Sequence, residues 1–114
     1  MTLITKIDAK ISLPDRQLMK PSVLFKQHRI HIREITSRFA VKNPRIFGSV
    51  LHGKDTEGSD LDLLVDALPG TTLFDLGGLQ IELEELLEIP VDLLTPGDLS
   101  RKFRDTVLAQ ACPL

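Results

Sequence analysis

The stretch from Gly48 to Asp66 reads GSVLHGKDTEGSDLDLLVD, and its second half predicts a β-strand over residues 61–65. Successive side chains of a strand point to opposite faces of the sheet. Leucine and valine therefore share one face of this strand, where they can enter a core. The opposite face carries Asp60, Asp62, Leu64 and Asp66.

The first half of the stretch predicts a turn suited to phosphate. Gly48 and Ser49 follow a short predicted strand, residues 45–47, and precede a brief predicted helix, residues 49–54. Glycine lets an anion approach the backbone closely, and the N–H groups at the start of a helix favour negative charge. Ser49 adds a hydroxyl donor, so the pair is a candidate phosphate site beside the acids.

A third acid, Asp92, stands within the apolar run IPVDLL. An ionised carboxylate among such neighbours costs free energy unless it is paired or bound to a metal. If the predicted strand 91–95 lies next to strand 61–65, Asp92 falls beside Asp60 and Asp62. Three carboxylates are hard oxygen ligands of the kind that Mg²⁺ prefers. The acidic pair alone would be more typical of a half-exposed strand with a polar outer face, so Asp92 is what favours a metal site.

The surrounding chain predicts helices on both sides of these strands. Apolar residues recur at helical spacing over residues 22–40, 72–88 and 98–110. The resulting order of helices and strands predicts an α/β (α+β) fold, a small mixed sheet with helices packed around it. The positions predicted to face inward on the last two helices are Leu73, Leu76, Gln80, Leu83 and Leu87, then Leu99, Phe103, Val107 and Leu108.

Composition limits the classes of function. The 114 residues suit one small domain, and a net charge of −2 with a pI of about 5.9 argues against a dedicated nucleic-acid binder. A single cysteine, Cys112, excludes an internal disulfide, and no stretch predicts a signal peptide or a membrane helix, so we expect a cytoplasmic protein. Residues 1–20 are expected to form an arm, either a short strand or mobile, ahead of a domain over residues 21–114.

Together these motifs resemble a known pattern. Gly48-Ser49, ten intervening residues, Asp60-x-Asp62 and the later Val91-Asp92-Leu93 are similar to the motifs of the DNA polymerase β-like nucleotidyltransferase superfamily, and most of all to its minimal (MNT-type) members. The resemblance runs from about residue 41 to residue 114, and the helix predicted before it, over residues 22–39, also fits. Residues 1–20 are not covered.

The resemblance implies roles for the matching positions. Asp60 and Asp62 would bind Mg²⁺, two ions in all, and Asp92 would complete the second metal site and help to activate an attacking hydroxyl. Gly48 and Ser49 would hold the terminal phosphates of ATP. One departure is His52, which stands where many relatives carry arginine. A neutral imidazole is a weaker phosphate donor than a guanidinium.

The resemblance also implies a partner. Small MNT proteins resemble the antitoxin of HEPN/MNT pairs. The antitoxin transfers AMP from ATP to a hydroxyl of its partner, a HEPN-domain ribonuclease toxin, and so neutralises the toxin. Two alternatives stay open: a non-catalytic module that binds its partner stoichiometrically, and a nucleotidyltransferase for a small molecule or RNA. The loop 55–59 and the segment 101–114 are candidate partner surfaces, although the C-terminal tail could instead cover the core. A homo-oligomer is also left open.

Overall fold

A computed structural model describes residues 19–114. The N-terminal arm predicted over residues 1–20 lies outside the described residues, apart from its last two. In chain order the structure contains helix α1 (Pro21–Ser37), strand β1 (Val41–Phe47), the short helix α2 (Gly48–Leu51), strand β2 (Leu61–Ala67), helix α3 (Leu73–Leu87), strand β3 (Val91–Leu94), a 3₁₀ helix (Pro96–Asp98), helix α4 (Arg101–Gln110) and strand β4 (Cys112–Pro113).

The four strands form one mixed sheet in the order β3-β2-β1-β4. Strand β2 runs parallel to β3 and antiparallel to β1, and β4 pairs antiparallel with the outer edge of β1. A parallel pair needs a crossover connection, and α3 supplies it between β2 and β3. The predicted mixed sheet is therefore confirmed. Strand β2 lies between β1, which leads into Gly48, and β3, which carries Asp92.

The main core lies between the sheet and helices α1 and α3. Alternation along β2 sends Leu61, Leu63 and Val65 into this layer, where each is fully buried. Leucines one helical turn apart on α3 meet them from above, because positions i and i+4 share a helix face. The buried residues of this cluster are Leu24, Phe25, Ile32, Val41, Ile46, Val50, Leu61, Leu63, Val65, Leu79, Leu83, Leu87, Ile89 and Val91.

The start of α3 differs from the prediction at Leu73. Thr72 caps the helix, accepting a hydrogen bond from the Asp75 backbone N–H at 3.2 Å, and the Asp75 carboxylate accepts one in return from the Thr72 backbone. Leu73 is thus the first helical residue, ahead of the layer that faces the sheet, and it is 86% exposed. The predicted inward position of Leu73 is wrong, whereas those of Leu83 and Leu87 are confirmed.

The last helix begins later than predicted and buries less. Asp98 caps the 3₁₀ helix by accepting hydrogen bonds from Thr95, so α4 starts only after Ser100, whose hydroxyl accepts from the Lys102 backbone. None of the α4 residues is buried. The predicted inward positions of Phe103 and Leu108 are wrong, because both side chains are exposed.

Strand β1 is longer than predicted, and β4 was not predicted at all. Asn43, with a φ of 53°, and Pro44 obscure the strand in the sequence, and the pairing with β2 shifts between Lys42 and Arg45. Such a bulge lets a strand continue through residues that disfavour regular pairing. Two residues of the tail then add to the free edge of β1. In the described part of the chain, no helix has the length and apolar character needed to cross a membrane.

Candidate active site

The register of the sheet brings the predicted acids to one end. Asp62 of β2 is directly opposite Asp92 of β3, and Phe47, the last residue of β1, is opposite Asp62 on the other side. Neighbouring strands lie only about 4.8 Å apart, and residues opposite each other in a parallel pair face the same side. Asp60 immediately precedes β2. The predicted adjacency of the two motif strands is confirmed.

Electrostatics mark Asp62 as the centre of this group. Burial raises the pKa of the Asp62 carboxyl, and the nearby charges of Asp92 and Asp60 raise it further, to about 6. Desolvation and like charges both disfavour the ionised form of a carboxyl group. Asp92 and Asp60 thus lie near enough to Asp62 to add negative charge at its carboxyl, which favours the protonated form of Asp62.

Gly48 is required at its position for two reasons. Its φ is +72°, in the left-handed region that side chains other than hydrogen disfavour. A Cβ at this position would also overlap Oδ2 of Asp62 and would lie 3.0 Å from its Cγ atom. The backbone turn at the end of β1 and the central carboxylate are therefore packed directly against each other.

The turn after β1 runs into α2 as the sequence predicts, although the helix is shorter than residues 49–54. Phe47 occupies the N-cap position without a side-chain hydrogen bond, so the first N–H groups of α2 have no cap from that residue. Ser49 is half-buried in the first turn. His52 follows the helix as its C-cap and is exposed.

Asp66, the last acid on this face of β2, does not join the group. Its carboxylate accepts hydrogen bonds from both terminal nitrogens of Arg45, at 3.0 and 3.2 Å, and from Asn43 at 2.9 Å. The Arg45 and Asn43 bonds hold the pKa of Asp66 below its ordinary value. Asp66 thus forms a structural ion pair with Arg45 at the opposite end of the strand.

The donor set fits a hard divalent cation. Asp60, Asp62 and Asp92 offer only carboxylate oxygens, and burial, together with the charges of Asp92 and Asp60, raises the pKa of Asp62. Within residues 19–114, however, no three acidic, histidine or cysteine side chains are already gathered around one point. Their role as ligands stays a prediction.

One acid differs from its predicted setting. The sequence predicts that Asp55 lies in a loop that could face a partner, but Asp55 is only 5% exposed. Its carboxylate accepts a hydrogen bond from the backbone N–H of Ser22 at 2.8 Å. The partners are separated by 33 residues, so no local pattern in the sequence indicates this contact.

Comparison with known proteins identifies the family. The profile of the nucleotidyltransferase domain family matches residues 28–113, which include all of the predicted site residues. The chain belongs to the nucleotidyltransferase domain family. This nucleotidyltransferase is 36% identical over 80 residues to the protein adenylyltransferase MntA of Thermococcus cleftensis, with the match covering 70% of this chain and 81% of that protein.

Solved structures agree with this assignment. A protein described as a minimal nucleotidyltransferase superposes with a TM-score of 0.74 at 36% identity, covering 82% of this nucleotidyltransferase and 95% of that chain. A chain of a toxin–antitoxin complex with AMP-PNP has a TM-score of 0.62 at 23% identity, over 72% of this chain and 68% of that one. The second comparison supports the fold alone. The predicted family, fold class and enzyme class are confirmed.

Proposed function

We propose that this nucleotidyltransferase is a Mg²⁺-dependent protein adenylyltransferase that moves AMP from ATP onto a hydroxyl of a partner protein, a HEPN ribonuclease toxin, and thereby neutralises it. The observation that carries the proposal is the pairing of Asp62 with Asp92, with the Gly48 backbone packed against the Asp62 carboxylate. Acids for a metal and a tight backbone turn for phosphate thus adjoin at one end of the sheet.

Each site residue has a task in this reaction. Asp60 and Asp62 would hold Mg²⁺ with the nucleotide, and Asp92 would complete the second metal site. Bound Mg²⁺ would supply neutralisation of charge on the attacking and leaving oxygens. Gly48 would allow the terminal phosphates to approach the backbone, and Ser49 would donate a hydrogen bond to them.

The bond changes are those of adenylyl transfer. The partner's hydroxyl oxygen forms a bond to the α-phosphorus of ATP, while the bond from that phosphorus to the bridging oxygen breaks and pyrophosphate leaves. The hydroxyl proton passes to Asp92, whose exposed side chain can release it to solvent. The protein contributes positioning and a preorganised field, as is general for phosphoryl and nucleotidyl transfer.

The choice of acceptor is supported by the relatives. MntA of Thermococcus cleftensis is a protein adenylyltransferase, and one structural neighbour belongs to a toxin–antitoxin complex with AMP-PNP. The slightly acidic charge of the chain disfavours RNA as the acceptor. The HEPN identity of the toxin rests on the resemblance of the sequence motifs to MNT proteins.

The test is incubation with the product of the neighbouring gene. The two proteins are co-purified, then incubated with ATP and Mg²⁺, and the partner is weighed by intact mass spectrometry. We expect the partner to gain the mass of one or more adenylyl groups with the wild-type protein and none with Asp62→Asn. A stable complex without any mass gain would favour the stoichiometric binding module instead.

A further inference from the structure

Asp55 is the acid that the proposed reaction leaves unused, although it is almost fully buried. It lies in the loop between α2 and β2, and its carboxylate contacts the start of α1, where it accepts a hydrogen bond from the Ser22 backbone N–H at 2.8 Å. Acids are seldom fully buried unless they are paired. The contact is therefore a specific feature that the fold maintains.

Helix α1 needs this carboxylate because it lacks a cap of its own. The N-cap residue, Lys20, makes no side-chain hydrogen bond to the first turn, and no acid occurs there. The first N–H groups of a helix have no partner within it, and an anion near them is favoured by the helix dipole. Burial alone would raise the pKa of Asp55, but the Ser22 hydrogen bond and the charge of Lys20 outweigh it, so the pKa is lowered.

The same residue is one step from the phosphate-binding turn. The backbone N–H of Lys54, its neighbour, donates to the carbonyl of Ser49 at 2.9 Å, and the N–H of Gly53 donates to the carbonyl of Val50 at 3.3 Å. Val50 is buried in the core. A continuous set of contacts thus leads from the start of α1 through Asp55 to Ser49.

We propose that Asp55 is a positioning residue for the phosphate-binding turn, since its bond to the start of α1 fixes the segment that orients Ser49. The proposal rests on the proposed function for its effect on ATP, but not for its effect on the turn. It assigns to Asp55 no contact with the reacting atoms. Its loss should weaken the binding of ATP and leave the rate of the bound complex nearly unchanged.

The experiment compares three variants. Asp55→Ala removes the acceptor, and Asp55→Asn retains an acceptor oxygen but loses the charge. Thr72→Ala is the matched control, because it removes the cap of α3, whose start follows β2 and lies outside residues 49–54. Each protein is measured for melting temperature, KM for ATP, kcat, and amide hydrogen exchange over residues 49–54 without nucleotide.

We expect Asp55→Ala to raise the KM for ATP about tenfold, which corresponds to about 1.4 kcal/mol, and to change kcat by less than about twofold. Exchange over residues 49–54 should rise about tenfold. Asp55→Asn should recover part of both effects, since an amide oxygen can accept the same bond. Thr72→Ala should lower the melting temperature, while the KM for ATP and the exchange over residues 49–54 stay within about twofold of the wild type.

Two results would overturn the proposal. One is an equal rise of the KM in Asp55→Ala and Thr72→Ala, which would make Asp55 a general stabiliser. The other is unchanged exchange over residues 49–54 in both Asp55 variants. If Asp55→Ala does not fold, Asp55→Asn decides. If the wild type transfers no nucleotide, the proposed function fails, and the exchange measurement still decides whether Asp55 holds the turn.

Discussion

Replacing Gly48 by alanine should separate the strain of the turn from its contact with the central acid. Gly48 has a φ of +72°, and an added Cβ would overlap the Asp62 carboxylate. Gly53 is the natural control, because its φ is +66° but a Cβ there would meet nothing within 4 Å. Both substitutions cost backbone strain, and only the first also displaces a neighbouring side chain.

The magnitudes follow from these two terms. A residue other than glycine in the left-handed region costs about 1–2 kcal/mol, so Gly53→Ala should lower the free energy of unfolding by that amount. Overlap with a packed side chain adds about 1–3 kcal/mol, which gives about 2–5 kcal/mol for Gly48→Ala. Each kcal/mol lowers the melting temperature by about 4–8 °C in a domain of this size.

Urea denaturation of both variants, and of the double variant Gly48→Ala with Asp62→Ala, measures the contributions of backbone strain and of side-chain overlap to the free energy of unfolding. We expect Gly48→Ala to be the less stable single variant, and the double variant to recover about 1–3 kcal/mol of the loss, because contacting residues couple. Equal destabilisation by Gly48→Ala and Gly53→Ala, with no recovery in the double variant, would refute the proposed packing of Gly48 against Asp62.

Three further predictions concern the acids and the tail. Asp60→Ala and Asp62→Ala should each abolish Mg²⁺-dependent nucleotide transfer while leaving the melting temperature of the metal-free protein equal or higher, since each removes like-charge repulsion; near-normal transfer by either would contradict the assignment. Because the folded pKa of Asp62, about 6, exceeds its ordinary 3.8, the folded state binds more protons, and the stability that Asp62 contributes at low pH should be lost as the pH rises through 6. Melting temperatures from pH 4 to 7 should show this loss in the wild type, and a curve for Asp62→Asn with the same slope would exclude it. Deleting residues 112–114 should lower the melting temperature by several degrees, because β4 pairs with β1 and Leu114 packs on the core; an unchanged melting temperature with weaker partner binding would instead favour a docking role for the tail.

The parts of the fold that the sequence predicts are those with a strong local period. Strand β2 carries acids between apolar residues, and α1 and α3 each carry a sustained apolar stripe. The sequence therefore predicts that these three elements exist and in which order they occur. The adjacency of β2 and β3 is predicted from Asp92, because an ionised acid in an apolar strand costs free energy unless it is paired or bound to a metal, and from the resemblance of the motifs to those of nucleotidyltransferases. The structure confirms it through the Asp62–Asp92 pairing.

The parts that were missed depend on distant contacts. The first half of β1 contains Asn43 and Pro44, which disfavour a strand locally and are accommodated only by a bulge against β2. Strand β4 is two residues long and exists because the edge of β1 is available. The burial of Asp55 depends on a residue 33 positions away. In each case contacts with residues distant in the sequence override the local conformational preference, which by itself predicts structure only weakly.

The site and the core also constrain each other through the register of β2. Because side chains alternate, a slip of one residue would move Asp62 into the main core and turn the fully buried Leu63 out of it. Burial of each leucine stabilises the fold by about 1.5–3 kcal/mol, so the apolar residues on both sides of Asp62 hold the register firmly. The acid disfavours the metal-free fold through its own repulsion and burial, yet the leucines keep it opposite Asp92 and against Gly48. Replacing one of these leucines should therefore lower stability and weaken the preference for the register that aligns the acids, which makes the core sequence LDLLV a determinant of the site.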